Sequence, residues 1–120
     1  MSDYLNMHIG EDYISLSFDV AHPAIIEIGE KMNGICEEAY MNGYNWDAFF
    51  NCYLAKNAPD ILEIIDSDPE AELYSVFIEE VNDQTRSYAR KFADLIEDLF
   101  ANEAKIYAFL EENADEIEWD

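Results

Sequence analysis

The chain has 120 residues, a length that fits one folding unit, residues 1–120, with room for a core that needs no disulfide staples. Half of the residues are hydrophobic and 14% are aromatic, which excludes intrinsic disorder, yet 28 acids against six Lys and Arg leave a net charge of −22. Such a field excludes a nucleic-acid or anionic-membrane binder and favours encounter with a basic partner, although halophilic adaptation or plain solubility gives similar totals. No apolar run approaches the ~20 residues of a bilayer span. The acidic, alternating start from Met1 to Gly10 reads as neither a secretory signal nor a transit sequence. Cys36 and Cys52 lack a CxxC spacing and are too few for a secreted scaffold, so two buried thiols in a reducing cytoplasm are expected.

In chain order, the first twenty residues read as a β-hairpin. Leu5, Met7 and Ile9 alternate with polar neighbours, Gly10-Glu11-Asp12 makes the turn, and Ile14, Leu16, Phe18 and Val20 alternate again. Pro23 suits the first position of a helix, and Ile25, Ile28, Met32, Ile35 and Ala39 recur at three and four over about five turns. Asn42-Gly43 reads as its stop. Asn45 is the expected cap of the next helix, with Asp47 in its first turn and Phe49, Phe50, Tyr53 and Leu54 on its apolar side. Pro59 opens a short helical turn over residues 60–65, and residues 66–70 form an acidic loop. Glu72–Glu80 is a third strand, with Tyr74, Val76 and Ile78 on one face and Leu73, Ser75 and Phe77 on the other. Two partly apolar faces point to a central position. Asp83 is the expected cap of a long helix through Phe100, and Asn102 breaks it before a last helix carrying Ile106, Leu110 and Ile117. The order β-β-α-α-β-α-α predicts an α+β fold, a small, mainly antiparallel three-stranded sheet packed by helices on one face.

Chemistry is poorly supplied. His8 and His22 have no nucleophile signature around them, and no phosphate-binding glycine loop exists among four glycines. Asp66-Ser67-Asp68-Pro69-Glu70 opens like a calcium loop, but the positions that need Gly and a bidentate Glu hold Ala71 and Phe77. No catalytic residue, metal ligand or cofactor site is therefore expected. The acids crowd the second half: residues 61–120 carry 18 acids and four bases, and the tail from Glu111 to Asp120 carries six acids and no base. Ile117 and Trp119 interleave with that charge, consistent equally with a frayed end or a docked one. Trp46 reads as a core anchor or, less readily, as a binding hot spot.

Two segments resemble a known family. One is Asn42-Gly43-Tyr44-Asn45-Trp46-Asp47-Ala48-Phe49 with Tyr53-Leu54; the other runs from Phe92 and Leu95-Ile96-Glu97-Asp98-Leu99-Phe100 to Glu116-Ile117-Glu118-Trp119-Asp120. With Asp68-Pro69-Glu70-Ala71 ahead of a strand, they are similar to bacterial polymorphic-toxin immunity proteins, most closely the immunity protein 51 family. The resemblance implies a small cytoplasmic protein encoded beside a toxin, which binds and neutralises its effector domain and is not an enzyme. Many such effectors are nucleases, whose phosphate-gripping clefts are basic and would accept an acidic partner. The expected partner-binding residues are the acids Asp66, Asp68, Glu70, Glu72, Glu79 and Glu80, with Tyr74, Trp46 and Trp119 as aromatic anchors. The rival reading is a nucleic-acid mimic that sequesters a DNA-binding partner, which needs carboxylates arrayed along one face. Self-association is left open.

Overall fold

The computed structural model describes residues 2–120; Met1, the first residue of the hairpin segment, lies outside them. Strands β1 (Leu5–Ile9) and β2 (Ile14–Asp19) form the expected hairpin, paired from Leu5↔Phe18 to Ile9↔Ile14. They are followed by helices α1 (Pro23–Ile35), α2 (Gly43–Asn57) and α3 (Pro59–Ile64), then β3 (Asp66–Ser67) and β4 (Leu73–Ile78). The chain closes with α4 (Asp83–Ala101), α5 (Ala104–Asn113) and a 3-10 turn at Ala114–Glu116.

The sheet is antiparallel throughout, in the order β1-β2-β4-β3, so it has four strands and not three. The fourth is the short edge β3, which falls in the segment expected to be loop. Two exposed polar residues have no alternation to betray a strand; the pairing is made by backbone alone, continued by Asp68 N–H donating to the Ser75 carbonyl at 2.9 Å. A two-residue acidic edge also discourages pairing with another sheet. β4 is central, as its two partly apolar faces predict.

The helices cover one face. Leu5, Leu16 and Phe18 of the hairpin and Tyr74 and Val76 of β4 point into the main core with Met32, Trp46, Phe50, Phe92 and Ile96. Phe18 sits at its centre, with ring centroids at 5.0 Å from Tyr74, 5.5 Å from Trp46 and 5.4 Å from Phe100. Each such pair adds about 0.5–1.5 kcal/mol to the area it buries. A smaller cluster of Ile14, Ile78 and Ala89 extends the core toward the turn of the hairpin.

Helix boundaries differ from the sequence expectation for local reasons. α1 stops at Ile35, which is 41% exposed, and Ala39 reaches the core through a turn instead of another helical stripe. Extending α1 would place Glu37 and Glu38 at a helix C-terminus, where the macrodipole disfavours them, and Gly34 already weakens the last turn. α2 is capped by Asn42 and not Asn45: Asn42 Oδ1 accepts from the Asn45 N–H at 2.8 Å. α4 is capped by Asn82 and not Asp83, with a reciprocal bond between Asn82 N–H and Thr85 Oγ1 at 2.9 Å. Ile117 lies beyond the last helix but is buried, 5% exposed.

Candidate functional site

Charge is segregated between the two layers. All six Lys and Arg residues lie in helices, where Lys31 pairs with Glu103 at 2.7 Å, Lys56 with Glu116 at 3.1 Å, Arg86 with Asp83 at 3.1 Å and Lys105 with Asp98 at 2.6 Å. The hydrogen bond from Lys31 holds the Glu103 carboxyl below its usual range and raises the Lys31 ammonium. The sheet and its connections, residues 2–22 and 65–82, carry ten acids and no Lys or Arg. Among the described residues no Asp or Glu is buried. Spread over 6600 Å² of accessible surface, the net −22 amounts to about one charge per 300 Å².

The expected partner-binding residues separate into three groups. Asp66 and Asp68 are exposed at the β3 edge; Asp66 is in register with Phe77, which places it on the sheet face away from the helices. Glu70 and Glu72 are exposed in the β3–β4 turn, and Glu79 and Glu80 are exposed just past the other end of β4. Tyr74 and Trp46 are a correction to the expected anchors: they are 1% and 0% exposed and present no surface to a partner. Strand periodicity puts Tyr74 beside Phe18 on the covered face, and Trp46 stacks on Phe50 at 5.9 Å. Burial, then the nearby Asp47 carboxylate, pushes the Tyr74 phenol well above its ordinary pKa.

Trp119, the ninth residue, is half-buried and docked. It lines an open cleft of about 730 Å³ between α2 and the C-terminal tail, with Asp47, Lys56, Glu116, Glu118 and Asp120. Asn45 and Gly43, which the sequence reading did not assign to this job, build that corner. Asn45 is 3% exposed; its Nδ2 donates to the Tyr40 carbonyl at 2.8 Å and its Oδ1 accepts from the Asp120 N–H at 2.7 Å. Gly43 N–H donates to the Ala71 carbonyl at 2.9 Å, so the start of α2 rests directly on the acidic turn. The only sequence signal for this contact was the glycine itself, beside an asparagine better read as a helix stop.

Little in this arrangement supports bond-making chemistry. Cys36 and Cys52 are half-buried free thiols and not the fully buried pair expected, and burial raises the Cys52 pKa away from the reactive thiolate. His22 caps α1, its Nδ1 accepting from the Ala24 N–H at 3.2 Å. Among the described residues no three His, Cys, Asp or Glu side chains are grouped to hold a metal ion, and no helix is long and apolar enough to cross a membrane.

What the arrangement offers is surface, acidic and unevenly spread. A family model described as immunity protein 51 matches residues 7–115. The chain belongs to the immunity protein 51 family. No curated protein and no solved structure matches it. The matched stretch takes in most of the hairpin and all of α1, upstream of the segments that carry the resemblance, and stops before Glu116–Asp120. Family membership supports a role in immunity to a toxin, which makes a toxin the implied partner; such families are generally not enzymes.

Proposed function

We propose that this chain neutralises a cognate toxin effector domain by occupying a basic cleft on it, of the kind a nuclease uses to grip phosphates, and that it does so in the cytoplasm without turnover. The observation that carries the reading is an exposed carboxylate excess on a member of an immunity family: most acids are exposed, none is fully buried among the described residues, and the few bases are mostly spent in ion pairs within the helical layer. A basic cleft loses its counterions to these carboxylates as it would to phosphates. Acids occur on every helix as well as in the sheet layer instead of along one face, which disfavours the nucleic-acid mimic.

The test is co-expression with the effector domain encoded beside the gene, followed by association kinetics on the purified pair. Rescue of growth, a stable complex and an on-rate that falls steeply between about 0.05 and 0.5 M salt are expected. Failure to rescue rejects the reading, and a salt-insensitive on-rate rejects its electrostatic part.

A further inference from the structure

The helices cover one face of the sheet and leave the other bare. Across the bare face run two registered rows. Asn6, Ser17 and Ser75 make one, and His8, Ser15, Phe77 and Asp66 make the other. Leu73 and Phe77 on this face are half-exposed and belong to neither core cluster, and Tyr13 at the hairpin turn, whose ring lies 5.4 Å from that of His8, is 48% exposed.

We infer that this bare sheet face is where the toxin docks, with Phe77 and Leu73, either side of its serine middle, as the apolar contacts and the carboxylates around the face as the rim. The inference rests on the toxin-binding reading above and adds the surface. Three serines keep the middle of the face low and flat, so an approaching partner meets Phe77 and Leu73 before it meets backbone. Acids bound the face on its sides: Asp66 and Asp68 along β3, Asp19 and Glu72 at one end of the central strands, Glu11 and Glu79 at the other. Apolar contacts enclosed by a charged rim are common anatomy in a protein interface.

Charge selects the occupant. The sheet layer carries ten acids and no Lys or Arg, so two copies of the face would repel each other, and a basic protein surface is what complements it. The helical layer, with 18 acids and six bases, is net −12, but its cations lie among its acids and four of them are paired, whereas no Lys or Arg interrupts the carboxylates of the sheet layer.

The experiment measures affinity for the effector domain encoded beside the gene, using four forms of the full chain: wild type, Ser17→Arg, Phe77→Ala and Ser87→Arg. Ser87 is exposed on α4, so its variant makes the same chemical change on the helical layer. Circular dichroism and thermal melting report folding of each form, and Phe77→Ala carries the test should Ser17→Arg fail to fold. Loss of about 100-fold or more in affinity for the two sheet-face variants, against less than about 3-fold for Ser87→Arg, supports the inference. Wild-type binding with all three variants within about 3-fold overturns the docking face while leaving the toxin-binding reading intact. No binding by the wild type overturns both.

Discussion

Asn45 Oδ1 accepts a hydrogen bond from the backbone N–H of Asp120 at 2.7 Å, tying the last residue of the chain to the first turn of α2. The same side chain donates to the Tyr40 carbonyl at 2.8 Å, so one amide joins three parts of the chain. Asn45→Ala therefore removes the partner of two part-buried backbone groups and leaves a gap where a side chain only 3% exposed had stood. A loss of about 1–3 kcal/mol in denaturant unfolding is expected, together with faster amide exchange over residues 114–120. An unchanged midpoint would show that the tail is not held there.

Gly43 reverses the usual rule for a glycine in a helix. A Cβ there would lie 1.7 Å from the Glu70 carbonyl oxygen and 2.3 Å from that of Leu73, both backbone atoms that cannot step aside. Gly43→Ala is expected to cost about 3 kcal/mol or more, where an ordinary helical Gly→Ala gains up to about 1 kcal/mol. Gly34→Ala supplies the contrast. Nothing lies within 4 Å of its Cβ position near the end of α1, so a gain of about 0.5–1 kcal/mol is expected in the same urea titration.

Tyr74 sets an alkaline limit. Its phenol stays neutral in the core because ionising it there would place a charge out of water and beside Asp47. The folded pKa is raised above the unfolded value of 10.0, so its contribution is fully present below pH 10.0 and is lost as pH rises from there toward the folded pKa. Lys31 and Lys105, raised by Glu103 and Asp98, lose stability over the same side of the scale from 10.5 upward. Tyr74→Phe removes the tyrosine's share: the fall in unfolding free energy above pH 10 should flatten by up to about 1.4 kcal/mol per pH unit. Equal slopes in the two proteins would contradict the burial of the hydroxyl.

Self-repulsion from −22 is a standing cost to the folded chain. Raising sodium chloride from about 0.05 to about 1 M shortens the screening length from above 10 Å to about 3 Å, and the melting temperature should rise. The five Lys and Arg surface ion pairs among the described residues oppose this only weakly, since each exposed pair is worth about 0–1 kcal/mol. A melting temperature that falls with salt would mean that the pairs outweigh the repulsion.

Periodicity carried most of the fold. The alternation of Leu16 and Phe18 marked β2, the two-faced apolar pattern of residues 73–78 marked a central strand, and the recurrence of Phe92, Leu95 and Leu99 marked α4. Such patterns are legible because a residue's spacing along one element decides which face it joins. β3 is illegible because Asp66 and Ser67 pair through backbone only, and the cap of α2 falls at Asn42 instead of Asn45 because the Asn42-Gly43 step, which reads as a helix stop, is also the start of the next helix. Cys36 and Cys52 were expected buried from their residue type, yet both are half-exposed.

The sequence by itself determined the charge, the α+β class, the strand faces and the family resemblance, because each is a property of composition or of local order. Only the tertiary structure decided that Tyr74 and Trp46 are interior, that the tail docks on Asn45, and that every Lys and Arg sits in the helical layer while the opposite sheet face stays bare. Those outcomes depend on contacts between residues tens of positions apart, such as Asn45 with Asp120 and Gly43 with Ala71. No spacing along the chain encodes which distant segment will supply the missing partner.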